Sequence, residues 1–220
     1  MILEIDNIEL NFKEKRILNG VYIKGESGQV TGLLGSNGCG KSCLLNIAFG
    51  NLKPKYKLIR IDAKPILKPL YHSKNAIILP QTNFTPNHMK IKSAFKTFRV
   101  SWAEFKNTFK GVHVTKHMKF NQLSGGERRL IETYIVLKSD KTIVFLDEPF
   151  SHLAPLHIEA IKRIISEVKE KKIIIITDHM YRHIVDVSDH IYLLKNGCTK
   201  NINKLTELEN YNYLSVGNIT

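Results

Sequence analysis

Hydrophobic and polar residues alternate over the first twelve positions of the chain. In the stretch ILEIDNIELNF, residues 2–12, isoleucine and leucine are separated by polar residues. This pattern predicts a strand with one face in water, as in an antiparallel sheet. The stretch that follows, residues 16–34, reads as further strands that are broken at Gly20, Gly25 and Gly28.

From residue 41 onward, short apolar runs alternate with segments of helical length. KSCLLNIAF predicts a short helix that Gly50 closes, and LIRID and NAIILPQ predict short strands. The strands TIVFL, IIIIT and HIYLLKNG then alternate with helices. Because helices connect parallel strands, this order predicts an α/β core whose parallel sheet carries helices on both faces.

Residues 82–122 differ in character from the rest of the chain. Eight basic residues stand there against a single acid, Glu104. Aromatic residues recur at steps of three and four, which is the period of a buried helix face; they are Phe95, Phe98, Trp102, Phe105 and Phe109. Residues 101–104, SWAE, also fit a capping box, so two successive helices are as well supported as one.

The composition is that of a folded globular protein with an excess of positive charge. Of 220 residues, 43% are hydrophobic, and 33 lysines and arginines against 20 acids give a net charge of +13. This charge suits nucleic acid, an anionic membrane surface or phosphorylated ligands, and does not choose among them. Cys39, Cys43 and Cys198 lack the spacing of a disulfide scaffold or a zinc site, which favours a reducing compartment.

The sequence indicates neither a signal peptide nor a membrane span. The first ten residues carry acids where a signal peptide carries basic residues, and no apolar run approaches about 18–20 residues. If the protein works at a membrane, we therefore expect a partner that crosses it. Residues 201–220 are interpreted as a polar tail.

A glycine-rich loop, GSNGCGKS, occupies residues 35–42 between an apolar strand and a helix. Its pattern, G-x-x-x-x-G-K-S, and this context are those of a phosphate-binding loop. Glycines let main-chain N–H groups and the following helix N-terminus point at phosphate oxygens. Lys41 is predicted to reach the β- and γ-phosphates, and the Ser42 hydroxyl to ligate Mg²⁺.

Two carboxylates, Asp147 and Glu148, follow the apolar strand TIVFL. On its own, such a pair could mark a polar turn. Beside a phosphate-binding loop, Asp147 is instead predicted to hold Mg²⁺ and Glu148 to orient and deprotonate the attacking water.

The stretch LSGGE, residues 123–127, completes an ordered set of motifs. Alone it is a helix start, with Ser124 as N-cap and Glu127 three residues later. Downstream of the loop and about twenty residues before the acidic pair, it makes the chain resemble the nucleotide-binding subunit of ATP-binding cassette (ABC) transporters. The resemblance covers residues 1–200 or so, nearly the whole chain.

This resemblance implies a fold class and a domain organisation. The fold would be α/β, with a P-loop NTPase (RecA-like) core, an antiparallel β subdomain and a small helical subdomain. We expect a single ABC ATPase domain over residues 1–220, with the helical subdomain inserted at about residues 82–125 and the polar tail at about 201–220. The implied activity is ATP hydrolysis that powers transport.

The resemblance also assigns roles to particular residues. Glu148, His179 and Lys41 would be catalytic, with His179 contacting the γ-phosphate, and Ser42, Gln81 and Asp147 would hold the metal. The expected nucleotide-binding residues are Phe12, Gly35, Ser36, Asn37, Gly38, Cys39, Gly40, Lys41, Ser42, Cys43, Gln81, Ser124, Gly125 and Gly126. Two of these have ordinary alternatives: Gln81 as a turn residue after Pro80, and Phe12 as a core aromatic rather than an adenine-stacking one.

ATP and Mg²⁺ are the expected cofactors, and a second ABC subunit is the expected partner. In the family, two cassettes pair head to tail, so that residues 124–126 of one copy cap the nucleotide of the other. We further expect separate integral membrane subunits, a cytoplasmic location on the inner face of the cell membrane, and no nucleic acid. The alternative is a soluble ABC ATPase that acts on nucleic acid or ribosomes, which the basic charge would suit.

The sequence departs from the family at two places. Ala154 stands where a loop aspartate usually links the two ATP sites. This reflects drift at a tolerant position, weakened coupling between the sites, or a partner subunit that supplies the aspartate at one of them. The helical insert is short and unusually basic, and its lysines form either a solvated surface or one that lies near anionic lipid headgroups.

Overall fold

Two sheets and a set of short helices make up residues 1–215, the part of the chain that the computed structural model describes. The strands are β1 (Ile2–Phe12), β2 (Lys15–Glu26), β3 (Val30–Leu34), β4 (Tyr56–Ile61), β5 (Lys64–Pro65), β6 (Ala76–Leu79), β7 (Ile143–Asp147), β8 (Ile173–Thr177), β9 (His190–Lys195) and β10 (Cys198–Ile202). The α-helices are α1 (Lys41–Phe49), α2 (Ile91–Thr97), α3 (Trp102–Thr108), α4 (Gly125–Lys138), α5 (Pro155–Val168), α6 (Tyr181–Val187) and α7 (Glu207–Asn210).

The smaller sheet is antiparallel and has the order β2-β1-β4-β5. The predicted breaks at Gly20 and Gly25 are wrong, because β2 runs through both residues and ends before Gly28. Gly20, at φ +66°, lies at an irregularity of β2, where the register between β1 and β2 shifts. At Gly25 the missing side chain admits β8, since a Cβ there would lie 2.7 Å from Ile173 Cγ2.

The larger sheet has the order β10-β9-β3-β8-β7-β6 and is parallel except for the β9–β10 pair. Alternate residues of its strands enter two separate cores. Val144 and Ile174 pack with the side of the sheet that carries α4, α5 and α6. Ile143 and Ile173 pack with α1 and the antiparallel sheet on the opposite side. The predicted α/β fold is confirmed, although one face is covered largely by the second sheet.

Between β6 and α4 lies the helical insert, which contains the two short helices α2 and α3. Ser101 Oγ accepts a hydrogen bond of 3.2 Å from the main-chain N–H of Glu104 and so begins the second of them. The aromatic stripe packs on Tyr134 of α4; the ring centroids of Phe105 and Tyr134 are 5.1 Å apart. The stripe is therefore the core of this insert.

The insert also gathers lysines on its surface. Residues 90–92 pair with residues 116–119 through main-chain hydrogen bonds, which brings Lys90, Lys92, Lys116 and Lys119 onto one strip. All four are exposed, and within residues 1–215 none of them forms an ion pair.

The segment from residue 201 onward is only partly a polar tail. Ile202 and Leu208 are buried, and Tyr213 and Leu214 pack against the core. The apolar residues of this segment recur at steps of three, a signal that the interpretation as a polar tail overlooked; they are Ile202, Leu205, Leu208, Tyr211 and Leu214. Residues 216–220 lie outside the described residues. None of the helices in the described part of the chain is long and apolar enough to cross a bilayer.

Candidate functional site

The glycine-rich loop connects β3, at the centre of the parallel sheet, to α1. Gly38 and Gly40 have φ angles of +76° and +109°, which a side chain would strain. A Cβ on Gly40 would also lie 2.9 Å from Leu18 Cδ2 of β2. Glycine is thus required where the loop turns into the helix and passes beneath the antiparallel sheet.

Lys41 closes the loop on itself. Its ammonium group donates hydrogen bonds to the carbonyl oxygens of Gly35, at 2.7 Å, and Ser36, at 3.1 Å. The side chain is almost completely buried. A positive charge is therefore held inside the loop, at the end of α1 where the helix dipole is also positive.

A cavity of about 570 Å³ lies beside this loop. It brings together residues from five separate parts of the chain: Phe12, Ile17, Asn37, Gly38, Gly40, Lys41, Ser42, Cys43, Gln81, Glu148 and His179. Phe12 is half exposed at its edge, as an aromatic ring open to a ligand would be. Ile17, which the sequence did not single out, provides an apolar wall.

Some of the predicted nucleotide-binding residues lie elsewhere. Gly35 and Ser36 line a neighbouring cavity of about 430 Å³, which shares Asn37 and His179 with the first one. Cys39 packs behind the loop, where a Cβ on Gly35 would lie 2.6 Å from its sulfur atom. Burial raises the pKa of both the Cys39 and the Cys43 thiols, so neither is a thiolate at neutral pH.

Asp147, the last residue of β7, is buried beside Ser42. Neither of its carboxylate oxygens has a hydrogen-bond partner among the described residues. Burial raises the pKa of Asp147, an effect that the nearby Ser42 hydroxyl and the charges of Arg129 and Lys41 only partly offset. Two buried, unpaired carboxylate oxygens next to a hydroxyl form an oxygen donor set that suits Mg²⁺.

Glu148 points its side chain into the cavity. Its Oε1 accepts a hydrogen bond of 3.1 Å from Gln81 Nε2, and its Oε2 accepts one of 3.3 Å from Ser151 Oγ. Its main chain has φ +54°, which is uncommon for a residue with a side chain, and its N–H donates to the Thr177 carbonyl. Such a conformation persists only where the surroundings hold it.

His179 faces Glu148 across the cavity. Its Nδ1 lies 3.9 Å from Glu148 Oε2 and 3.2 Å from Asp178 Oδ1. Asp178 is completely buried and accepts hydrogen bonds from the main-chain N–H groups of Phe150 and Met180. The sequence did not single out Asp178, although an acid next to a predicted functional histidine is a usable signal for a residue that orients the ring.

Arg129 was also missed. It lies in the second turn of α4, is almost fully buried, and donates hydrogen bonds to three main-chain carbonyls: Pro80, Asp147 and Glu148. Burial lowers the pKa of Arg129. Four nearby carboxylates counteract this effect of burial; they belong to Glu132, Asp147, Glu148 and Asp178.

Residues 124–126 lie outside the cavity. Ser124 caps α4, because its Oγ accepts a hydrogen bond from the Glu127 N–H, and the Glu127 carboxylate accepts one from the Ser124 N–H. Ser124 and Gly125 are exposed. The structure thus does not bring these residues to the cavity of the same chain, but places the capped N-terminus of α4 at the surface.

Ala154 is the N-cap of α5 and is exposed. It has no side chain that could accept from the first turn of the helix, and Pro155 follows at the first helical position. Nothing in the fold therefore excludes a polar residue at this position.

Comparisons with known proteins agree on one family. A family model described as ABC transporter matches residues 18–151. The lipopolysaccharide export system ATP-binding protein LptB of Haemophilus influenzae is 28% identical over 212 residues, which is 89% of this chain and 88% of that protein. An uncharacterized ABC transporter ATP-binding protein of Methanocaldococcus jannaschii is 30% identical over 213 residues, 90% of this chain and 84% of its own.

Solved structures give the same result. A nucleotide-free ATP-binding cassette from an ABC transporter superposes with a TM-score of 0.77 at 26% identity, covering 97% of this chain and 96% of its own. The shared fold extends over almost the whole of both chains.

Proposed function

Because this chain belongs to the ABC transporter family, we propose that its cavity binds Mg-ATP and that Glu148 acts in hydrolysing it to power transport. The chain is an ATP-binding and ATP-hydrolysing subunit of this family. One observation carries the assignment of the site. Lys41, Gln81, Glu148 and His179, which are far apart in the sequence, line the same cavity.

Each of these side chains has a role that follows from its position. Main-chain N–H groups of the loop and the buried ammonium of Lys41 bind the phosphates. The Glu148 carboxylate, held by two hydrogen bonds, accepts the proton of the attacking water. His179, oriented by Asp178, donates a hydrogen bond towards the γ-phosphate.

Asp147 and Ser42 would hold Mg²⁺, with Gln81 close by. When bound, the cation supplies positive charge that neutralises the phosphate oxygens during transfer. Its binding would also satisfy the two buried oxygens of Asp147, which explains why the fold tolerates them without partners.

A second copy of the chain completes the site in this proposal. Residues 124–126 form an exposed helix N-terminus that is not in the cavity of their own chain. A head-to-tail pair would place this N-terminus against the nucleotide bound by the other copy. ATP binding then favours the closed pair, and hydrolysis releases it.

We further propose that residues 1–220 act as one ATPase domain, docked through separate membrane subunits on the inner face of the cell membrane. The predicted helical subdomain, about residues 82–125, follows the strand β6 and ends at the first residue of the helix α4. Family membership favours this role over action on nucleic acid.

The dimerisation step is tested with Glu148→Gln, which should bind Mg-ATP but hydrolyse it very slowly. We expect size-exclusion chromatography with light scattering to show a dimer with Mg-ATP and a monomer without it. The double variant Glu148→Gln, Lys41→Ala is the control and should stay monomeric. A Glu148→Gln variant that is monomeric under both conditions would contradict the proposed pairing.

Association with a membrane is tested by purification of the full chain from cells. Detergent-dependent recovery of a multi-spanning protein supports the transporter assignment. Recovery of RNA with the chain, lost after nuclease treatment, would support the nucleic-acid alternative instead.

A further inference from the structure

A single buried arginine holds the main chain at the two strand ends that carry the candidate catalytic residues. Arg129 Nη1 donates to the Pro80 carbonyl, at 2.7 Å, directly before Gln81. Its Nε and Nη2 donate to the Glu148 carbonyl, at 3.2 and 2.9 Å, and Nη2 also donates to Asp147. One guanidinium therefore binds the end of β6 and the end of β7 together.

These contacts need the shape of arginine. The guanidinium is planar and presents its N–H groups in a fixed fork, so it can satisfy several carbonyls at once. A lysine ammonium is a point charge on a flexible stem and cannot reproduce that fork. Since the side chain is only 4% exposed, water does not substitute for a lost contact.

What Arg129 restrains is the unusual main chain of Glu148. At φ +54° this residue is in a strained region, and its carbonyl is held by the guanidinium while its N–H is held by Thr177. This conformation directs the Glu148 side chain towards Gln81, whose Nε2 donates a hydrogen bond of 3.1 Å to Glu148 Oε1. Relaxation of the main chain would move the carboxylate and separate it from the amide.

The same helix that carries Arg129 begins at the exposed residues expected to meet a second copy. Arg129 lies five residues after the N-cap Ser124, in a 14-residue helix. Gly126 packs directly on the segment that follows Glu148, where a Cβ would lie 2.6 Å from the His152 carbonyl oxygen. A shift of α4 at its N-terminus would therefore also displace the guanidinium that holds the two strand ends.

We propose that Arg129 is a positioning residue that sets the Glu148 carboxylate and the Gln81 amide according to the position of α4. This inference rests on the proposed function. It makes hydrolysis, rather than nucleotide binding, depend on the placement of the helix whose N-terminus faces the second copy.

The test compares Arg129→Lys and Arg129→Gln with Arg128→Lys. Arg128 is the matched control because it is equally buried in the same helix, but its partners are Glu132, Thr85 and Asn87, which do not line the cavity. For both Arg129 variants we expect kcat to fall roughly 10- to 100-fold, the cost of a misplacement of about 1 Å. The KM for ATP should change less than kcat does, since the loop and Lys41, which bind the phosphates, are untouched.

A second readout separates positioning from general destabilisation. Because binding is retained while hydrolysis is slow, both Arg129 variants should accumulate as dimers with Mg-ATP, whereas wild type should return to monomer as ATP is consumed. Arg129→Lys should retain more activity than Arg129→Gln. Arg128→Lys should keep the wild-type kcat per folded molecule within about twofold, even where its melting temperature falls.

Three results would overturn the proposal: an unchanged kcat in both Arg129 variants, equal losses of ATP affinity and kcat, or loss of folded protein in both. Each would leave Arg129 with at most a structural role. If wild type itself neither binds nor hydrolyses ATP, it is the proposed function that fails, and this outcome is read from the wild-type arm alone.

Discussion

Gly126 lies directly against the main-chain carbonyl of His152, so that a Cβ at residue 126 would come within 2.6 Å of the carbonyl oxygen. Its neighbour Gly125 has open space around the same position. The first turn of α4 therefore rests on the segment that follows Glu148, and only one of the two glycines makes this contact possible.

Gly126→Ala should destabilise the protein, because the added methyl meets a main-chain atom that cannot rotate away. We expect a loss of roughly 1–3 kcal/mol in the free energy of unfolding. Gly125→Ala is the matched control and should be neutral or slightly stabilising, since alanine is the better helix former. Urea unfolding measures these differences, and nucleotide is left out so that dimerisation does not contribute. Equal effects of the two variants would show that the contact with His152 does not matter.

Much of the fold could be predicted from local patterns. The alternation in residues 2–12 identified β1, and the apolar run before Asp147 identified β7, because burial on one or both faces leaves a direct trace in residue type. Gly50 ends α1 in a left-handed conformation, as a glycine after a helix predicts. The loop of residues 35–42 could be placed between a strand and a helix, because its glycine pattern and the apolar run before it are both local signals.

What the patterns could not show depends on long-range or main-chain contacts. Arg129 binds three carbonyls, and carbonyls are the same in every residue, so no partner type in the sequence points to it. Only one of the five residues of β10 is buried, and the strand has no apolar period. The roles of Phe12 and Gln81 stay predictions, because both residues line the cavity but the contacts that would define their roles are contacts with a nucleotide or a metal.

Asp147→Asn should make the protein more stable without metal. Burial raises the pKa of Asp147, so its ionised form costs free energy in the folded state, and stability falls as pH rises from the ordinary value of 3.8 through the folded-state pKa. At pH 7 we expect the asparagine variant to gain on the order of 1–3 kcal/mol, because a buried neutral amide is less costly to leave without partners than a buried charge. Thermal unfolding measures this gain, which should disappear below the ordinary pKa.

Mg-ATP should reverse that order of stability. Wild type should be stabilised by the ligand, whereas Asp147→Asn should respond weakly because it has lost a charged metal ligand. Asp140→Asn, at an exposed position in an ion pair with Lys141, serves as the control and should show no gain without metal. A less stable Asp147→Asn variant at pH 7 would contradict the interpretation of Asp147 as a metal ligand kept at a cost.

Lys172 should make stability depend on pH in the alkaline range. It donates to the carbonyls of Ser139 and Lys141, and burial lowers its pKa from 10.5 to about 8, with Lys138 and Lys141 adding to the effect. Between these values the unfolded chain binds a proton that the folded chain does not, so the contribution of Lys172 to stability rises with pH. The full change is at most about 3 kcal/mol.

The measurement compares the free energy of unfolding of wild type and Lys172→Met from pH 7.5 to 10.5. We expect the free energy of unfolding of wild type to rise relative to that of the variant across that range. Lys171→Met, at the exposed neighbouring position, should follow wild type throughout. Parallel pH curves for wild type and Lys172→Met would show that the ammonium group is adequately paired at its buried position.

Ala154→Asp tests the departure from the family at the start of α5. An aspartate at this N-cap can accept from the N–H groups of the first turn, which should add about 1 kcal/mol to stability. Ala154→Ser is the control, since serine caps a helix equally well without a charge. If the position also couples two ATP sites, the Hill coefficient for ATP should rise in the aspartate variant alone. We expect Ala154→Asp to raise both the stability and the Hill coefficient. If Ala154→Asp and Ala154→Ser stabilise the protein equally and neither changes the Hill coefficient, Ala154 is a tolerated substitution at the cap.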